Sequence, residues 1–200
     1  LMRSAGCIVN DIVDKNIDKK VKRTKNRPLA SGKISILKSI FYVIFLCAVA
    51  FAILIQFNNI TIFFGLISML LAFSYPFMKR ITYWPQLFLG LTFNWGIIMA
   101  WTSINNEISI EILLLYISAI FWTLGYDTIY GTQDIIEDEI IGVKSTSIKF
   151  KKNIKTFVTF CYFITSIIII FLFYNQMQIN YFTIFTFMFI LSLIYQVKIF

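Results

Sequence analysis

The chain has 200 residues, of which 58% are hydrophobic and only 14% are charged, and its mean hydropathy is +0.78. A soluble domain carries roughly 25% charged residues, so this composition excludes an ordinary water-soluble globule and indicates a membrane protein. The net charge of +8 does not predict nucleic-acid binding, because the basic residues lie mostly in short loops between apolar segments. Basic loops beside membrane helices are typical of the cytoplasmic side of a bilayer.

Six segments are long and apolar enough to cross a bilayer, since a spanning helix needs roughly 20 mostly apolar residues. They are residues 35–57, 60–78, 83–104, 108–126, 154–174 and 179–197. Residues 1–9 are predicted to be the end of an earlier span. The fold prediction is therefore all-α: a multi-pass transmembrane helix bundle that forms one domain over residues 1–200.

The connections between these segments alternate in charge. Three of them contain no Lys or Arg (56–61, 105–107 and 175–180), whereas the loops 10–34, 79–82 and 127–153 contain most of the basic residues. Counting helices puts the three basic loops on one side, which the positive-inside rule makes the cytoplasmic side. Arg3 and Lys198 lie at helix ends that the same count places near that side.

The residue types restrict which metals the protein could bind. Histidine is absent, and the three cysteines are far apart with no CxxC pair. Neither a zinc site nor a disulfide framework is therefore predicted. A bound metal would need oxygen ligands, which favours Mg²⁺ or Ca²⁺.

Oxygen ligands are concentrated at the start of the first basic loop. In the stretch "NDIVDKNID", Asn10, Asp14 and Asp18 recur every four residues. If this segment is helical, the spacing puts all three on one face, with Asp11 one position further round.

A second acidic stretch, "YDTIYGTQDIIEDEIIGVKS", covers residues 126–145. In it Asp127, Tyr130, Asp134 and Asp138 follow one another at helical spacing and form a single stripe. Carboxylates crowded near a membrane are costly, and Mg²⁺ bound by carboxylates and substrate phosphates removes that conflict. Basic residues follow both stripes, as expected where Arg or Lys binds the remaining phosphate oxygens. The alternative interpretation is that these are solvated loop charges paired with nearby lysines.

Three stretches resemble a known family. Residues 10–32, "NDIVDKNIDKKVKRTKNRPLASG", resemble the first signature of the UbiA superfamily of intramembrane aromatic prenyltransferases, NDxxDxxxD followed by RTxxRPLASG. Residues 126–145 resemble its second signature, YDxxYAxxDxxxD followed by GxKS, with Gly131 in place of the usual alanine. Residues 75–96, "YPFMKRITYWPQLFLGLTFNWG", resemble the segment typical of the branch that acts on 4-hydroxybenzoate. The resemblance covers almost the whole chain, and the motifs occur in the family's order.

The resemblance implies a bundle of about nine transmembrane helices, with both acidic motifs facing a central cavity from the cytoplasmic side. We therefore expect the chain to be a fragment that lacks both ends: the first helix, much of the second and the final one. The implied activity is the Mg²⁺-dependent transfer of a polyprenyl group from polyprenyl diphosphate to the ring of 4-hydroxybenzoate, a step of ubiquinone biosynthesis. The expected location is the bilayer of a bacterial inner membrane, with the acidic motifs facing the cytoplasm.

The resemblance also implies roles for individual residues. The predicted metal ligands are Asn10, Asp14, Asp134 and Asp138, with Asp11 and Asp18 as supporting ligands. Asp127 and Tyr130 are predicted to orient a ligand or the acceptor, and together with Asp14, Asp134 and Asp138 they form the predicted catalytic set. The predicted diphosphate-binding residues are Arg23, Lys25, Arg27, Lys79, Arg80 and Lys144. Because histidine is absent, a carboxylate or the released diphosphate must take the ring proton.

Other functions are consistent with parts of the sequence. Another branch of the superfamily (a haem farnesyltransferase, or a naphthoate or homogentisate prenyltransferase) shares the acidic motifs, but residues 75–96 favour the hydroxybenzoate branch. A divalent-cation transporter would place ionisable residues near the bilayer midplane, whereas Glu111 and Lys38 lie close to the ends of their spans. A purely structural membrane protein would not need the acidic stripes.

Overall fold

The computed structural model describes residues 1–21, 23–174 and 181–200. These residues form ten α-helices and no β-strand. In chain order the helices are α1 (Met2–Asp18), α2 (Ile36–Leu54), α3 (Asn59–Ile81), α4 (Pro85–Phe93), α5 (Gly96–Asn105), α6 (Ile110–Gly131), α7 (Ile135–Ile141), α8 (Thr146–Lys149), α9 (Ile154–Phe173) and α10 (Tyr181–Ile199). A 3₁₀ turn, Thr132–Asp134, joins α6 to α7.

Six of the described helical segments are long and apolar enough to cross a membrane. They are Ile36–Leu54, Asn59–Ile81, Pro85–Asn105, Ile110–Ile141, Ile154–Phe173 and Tyr181–Ile199. The prediction of a multi-pass, all-α bundle with six spans is therefore confirmed. The predicted connection over residues 175–180 lies outside the described residues.

Polar side chains cap the N-termini of three of the spanning helices. The Ser35 hydroxyl accepts a hydrogen bond from the Lys38 amide at 3.3 Å, and the Ser109 hydroxyl accepts one from the Ile112 amide at 3.4 Å. Asn58 caps α3 in the same way. Such caps satisfy amides that have no partner within the first turn, which is important in a bilayer because it offers no water to replace them.

The third predicted span, 83–104, is not one continuous helix, because the chain breaks between α4 and α5. The Asn94 side-chain amide donates to the carbonyls of Gly90 (2.9 Å) and Ala119 (3.1 Å) and to the Thr123 hydroxyl (2.7 Å). A side chain that bonds nearby backbone in this way competes with the helix's own ladder. The predicted span is therefore confirmed, but its helix is interrupted in the middle.

Helix α6 is the central element, since it packs against both α4 and α9. Gly90 permits the close approach of α4, because a Cβ atom there would lie 3.1 Å from the Ile120 carbonyl oxygen. On the other side, Val158 and Tyr162 of α9 and Leu193 of α10 belong to one buried apolar cluster. This packing fixes the position of the second acidic motif, which lies at the C-terminal end of α6.

The first acidic motif lies on α1, so its conditional assignment to a helix is confirmed. The second motif differs from its prediction. Most of residues 127–149 are helical, but α6 ends at Gly131 and Asp134 has φ −110° and ψ 4°, outside the helical range. The prediction of one continuous helical stripe through Asp127, Tyr130, Asp134 and Asp138 is therefore wrong, since Asp134 lies in a turn between two helices.

Arg3 lies deeper in the membrane than predicted. Its guanidinium carbon is 5.5 Å from the centre of the Phe93 ring. Phe93 is the ninth residue of the span Pro85–Asn105, about 12 Å along the helix axis from its start. The expectation that Arg3 lies near the cytoplasmic side is therefore wrong, because its contact is near the middle of a span.

Candidate active site

One end of the bundle contains a cavity of about 200 Å³ between the two acidic motifs. Ten of the predicted site residues line it: Asn10, Asp14, Asp18, Arg23, Arg27, Lys79, Asp127, Asp134, Asp138 and Lys144. They come from α1, the loop after it, and α3, α6, α7 and the turns beside α7. Residues more than a hundred positions apart in the sequence thus share one site.

Four predicted residues are outside the cavity wall: Asp11, Lys25, Arg80 and Tyr130. Three of them contact the cavity or its supporting helix. Asp11 accepts a hydrogen bond from Arg27 at 2.9 Å, and the Tyr130 hydroxyl accepts one from Arg23 at 2.7 Å. Arg80 donates to the main chain of α1 at 2.6 Å. The fourth residue, Lys25, is exposed.

Asp14 is the most deeply buried charged residue of the site, with 1% of its surface exposed. The Lys79 ammonium donates to its Oδ2 atom, and the Arg80 guanidinium lies 3.6 Å from its Oδ1 atom. Among the described residues, Oδ1 has no hydrogen-bond donor. Since an unsatisfied buried acceptor costs about 1–3 kcal/mol, this oxygen is poised to bind an incoming cation or donor.

The second acidic motif is also paired with basic side chains. Arg23 donates to Asp134 of this motif at 2.5 Å, and the same loop also pairs with the first motif, where Arg27 donates to Asp18 at 3.1 Å. Burial opposes the positive charge on Arg23, but the Asp134 carboxylate and the Tyr130 hydroxyl together favour it more strongly, so the pKa of Arg23 is raised. The loop after α1 is thereby attached to the end of α6.

The carboxylates fit Mg²⁺ in their chemistry but are not gathered around one point. The cavity offers hard oxygen donors, and one of them, Oδ1 of Asp14, is buried and accepts no hydrogen bond from the described residues. Yet no group of three or more acidic side chains in the described part of the chain is close enough to hold a metal ion. The predicted ligands other than Asp11 share one cavity, but the side chains of Lys79, Arg23 and Arg27 occupy several of the positions that a metal would take.

Sequence reasoning missed several polar residues of the cavity wall, including Tyr75 and Gln86. Gln86 is 7% exposed, and its side-chain oxygen accepts a hydrogen bond from the Thr146 amide at 2.9 Å. The sequence did contain a signal that could have identified both residues. Both residues are polar positions at the ends of apolar spans, and Tyr75 precedes Lys79 by four residues, which places the two on one face of α3.

The fold and the cavity define an integral membrane protein in which a helical bundle holds a mixed acidic and basic site at one end. The model of the UbiA prenyltransferase family matches residues 1–200. The chain belongs to the UbiA prenyltransferase family.

Among curated proteins, the chain is similar to the mitochondrial 4-hydroxybenzoate polyprenyltransferase of Arabidopsis thaliana. The two are 48% identical over 160 residues, which is 80% of this chain and 39% of the relative. The chain spans about two fifths of the length of that relative.

Two solved structures share the architecture. The apo structure of a UbiA homologue from Aeropyrum pernix K1 has a TM-score of 0.86 at 26% identity, covering 98% of this chain and 75% of that one. A UbiA homologue from Archaeoglobus fulgidus, solved with GPP and Mg²⁺, has a TM-score of 0.80 at 18% identity, covering 99% and 71%. The second comparison shows the shared fold alone.

Proposed function

We propose that the chain is part of an enzyme that transfers a polyprenyl group from polyprenyl diphosphate to the ring of 4-hydroxybenzoate, a step of ubiquinone biosynthesis. The observation that carries the proposal is the meeting of both acidic motifs in one cavity, together with the basic side chains of Arg23, Arg27, Lys79 and Lys144. The similarity to a curated 4-hydroxybenzoate polyprenyltransferase supports the choice of acceptor.

Asn10, Asp14, Asp18, Asp134 and Asp138 would hold Mg²⁺ in this proposal. When bound, Mg²⁺ would neutralise charge on the diphosphate leaving group. The solved Archaeoglobus fulgidus homologue contains GPP and Mg²⁺, which supports a divalent metal with a prenyl diphosphate in this fold.

The ion pairs of the cavity suggest how the site receives its charged substrate. Without it, Arg23, Arg27 and Lys79 neutralise Asp134, Asp18 and Asp14. In the proposed mechanism the basic side chains turn to the phosphate oxygens as the substrate enters, which leaves the carboxylates free for metal. Such an exchange of partners avoids an unpaired charge in a partly buried site at either stage.

Bond cleavage then depends on electrostatics. Negative charge builds up on the departing diphosphate, where fixed cationic donors lower the barrier. Lys144 is placed for this role at the cavity wall, with its ammonium 3.1 Å from the Ile81 carbonyl oxygen. The carbon next to the phenol oxygen of the acceptor attacks the allylic carbon, and the ring proton passes to a carboxylate or to the released diphosphate.

We infer that the protein resides in a bacterial inner membrane with the cavity on the cytoplasmic side. The loop charges support the orientation, whereas the Arabidopsis relative is described as mitochondrial. Fractionating the source cells and following the protein with an antibody tests the compartment.

A prenylation assay in native membranes tests the activity. Radiolabelled 4-hydroxybenzoate is supplied with diphosphates of several chain lengths, with Mg²⁺ present or chelated. The expected result is a labelled lipid product that forms only with the metal. Transfer to homogentisate or a naphthoate, with none to 4-hydroxybenzoate, would instead assign the protein to another branch.

A further inference from the structure

Gln86 is a buried polar side chain of the cavity wall that the proposed mechanism does not use. It is the second residue of α4, directly after Pro85, and only 7% of its surface is exposed. It lies at the same end of the bundle as both acidic motifs and lines the cavity that they share. A buried amide needs partners for its oxygen and for its two N–H groups.

One hydrogen bond fixes the orientation of the Gln86 amide. Its Oε1 atom accepts from the main-chain N–H of Thr146 at 2.9 Å. Since only the oxygen can accept from an N–H group, the Nε2 atom lies on the other side of the amide. There it is beside Gly131 at the end of α6, where a Cβ atom would lie 3.4 Å from Nε2. The NH₂ group is therefore held where α6 leads into the turn that carries Asp134.

The NH₂ group of Gln86 has unused hydrogen-bonding capacity. Within the described part of the chain it donates no hydrogen bond, yet it is not sealed from solvent as Oδ1 of Asp14 is. Because Gln86 lines the cavity, these free donors open into it. An unpaired donor on a side chain this buried is destabilising, and a ligand oxygen that accepts from it removes that cost.

The neighbouring groups favour an anionic oxygen as the acceptor. Lys144 lines the same cavity and precedes Thr146 by two residues, so the segment that orients Gln86 also carries a cation. Arg23 and Lys79 are paired with carboxylates, whereas a neutral amide forms no ion pair and stays free. Gln86 can thus bind an anionic oxygen without first changing partners, as a preorganised donor does.

We propose that the Gln86 NH₂ group donates a hydrogen bond to an oxygen of the substrate diphosphate. This inference rests on the proposed function and adds a neutral donor to the charged groups named there. The donor is in place before the substrate arrives, and its bond strengthens as negative charge builds up on the leaving group. The Oε1 atom meanwhile holds residues 144–146 against α4, so one side chain both binds the substrate and positions Lys144.

The test separates the two ends of the amide. Gln86→Glu keeps an oxygen that can accept from Thr146 but loses the NH₂ donor, and Gln86→Met loses both at nearly the same size. Gln133→Glu is the matched control, because Gln133 is exposed, lies outside the cavity wall and directly precedes Asp134. It places the same new charge beside the site. Calorimetry measures the binding of inorganic pyrophosphate with Mg²⁺ to each protein in detergent, and the melting temperature and the KM for the prenyl diphosphate are measured in parallel.

Both Gln86 variants should bind pyrophosphate roughly 10- to 100-fold more weakly, as expected for losing a hydrogen bond to a charged group. The KM for the prenyl diphosphate should rise in both. Gln86→Glu should keep the original melting temperature, whereas Gln86→Met should lower it because the buried Thr146 amide loses its acceptor. Gln133→Glu should hardly change the affinity.

Three results overturn the proposal. Unchanged pyrophosphate binding in Gln86→Glu would show that the amide only holds Thr146 in place. Unchanged binding in Gln86→Met, or equal weakening in Gln133→Glu and Gln86→Glu, would show that only the new charge weakens binding. If Gln86→Met does not fold, the comparison of the two Glu variants decides alone.

The two proposals fail in different ways. If the unaltered protein binds pyrophosphate but prenylates no aromatic acid, the proposed function fails while the Gln86 comparison still stands. If it prenylates 4-hydroxybenzoate, and Gln86→Glu does so with an unchanged KM and unchanged affinity for pyrophosphate, only the role of Gln86 fails.

Discussion

Asp14 combines three properties in one side chain: near-complete burial, an ion pair with Lys79, and an oxygen without a donor among the described residues. Asp134 differs, because it is partly exposed and pairs with Arg23. Both are acceptors that a substrate-bound cation could use, and both lie on the cavity wall. Single substitutions can separate the contribution of each carboxylate to catalysis from the effect of the net negative charge of the region.

Asp14→Asn and Asp134→Asn each remove a charge and keep nearly the same shape. We expect kcat to fall at least roughly 100-fold for either, comparable to removing one preorganised group that stabilises developing charge. Steady-state prenylation with saturating donor and Mg²⁺ measures this.

Glu139→Gln is the control for net charge. Glu139 is outside the cavity wall and pairs with the exposed Lys151 at 2.8 Å, so activity should hardly change. Equal damage from Glu139→Gln and Asp134→Asn would show that the region acts only through its net charge.

Gly131 is a second residue whose environment makes a sharp prediction. A Cβ atom at this position would lie 2.5 Å from the Ser147 hydroxyl oxygen, which donates to the Thr128 carbonyl at 2.7 Å. Gly131→Ala should therefore destabilise the protein by about 1–3 kcal/mol through overpacking, lowering the melting temperature in detergent.

Ser147→Ala in the same chain removes the clashing oxygen and should recover part of that loss. The two single variants and the double variant form a cycle that isolates their coupling. If Gly131→Ala melts at the original temperature, or if the two effects simply add, the close approach between the second motif and α8 is not present in the protein.

At the scale of elements, one ion pair joins the loop after α1 to the turn after α6. Arg23 and Asp134 are partly exposed, at 47% and 21% of their side-chain surface, so the pair stabilises the closed loop by only about 0–1 kcal/mol. An energy of this size favours the position in which the loop contacts the turn after α6, but it is too small to hold the loop there permanently.

Limited proteolysis tests this bias. Asp134→Asn keeps every Lys and Arg of residues 19–27, so trypsin has the same sites, and cleavage there should be faster by up to roughly 5-fold, the equivalent of 1 kcal/mol. Glu139→Gln again serves as the control and should cleave at the original rate. Unchanged cleavage in Asp134→Asn would show that the pair does not restrain the loop.

The whole molecule has one orientation in the bilayer, predicted from the basic loops. After replacement of Cys7, Cys47 and Cys161, single cysteines at Lys20 and Lys152 should react from the cytoplasmic side, and those at Phe57 and Asn106 from the other side. All four positions are exposed. Three spans separate positions 20 and 106, so labelling of both from the same side would overturn the helix count.

The sequence by itself determined that the helices lie in a bilayer, how many spans this chain has, and which chemical groups the two acidic motifs offer. Hydropathy and loop charge are properties of contiguous residues, and a bilayer enforces them because it leaves backbone groups no partner except within a helix. The helical face formed by Asn10, Asp14 and Asp18 could also be predicted, because it depends only on the spacing of residues within one helix.

Only the tertiary structure decided which of these residues share a cavity and how they are paired. The contacts of Arg23 with Asp134 and of Asp14 with Lys79 join distant parts of the chain, so no local pattern contains them. The break at Asn94 depends on groups of the neighbouring helix α6. The depth of Arg3 follows from its contact with Phe93. Packing between helices fixes these features, and hydropathy averaged along the chain does not record which helices touch.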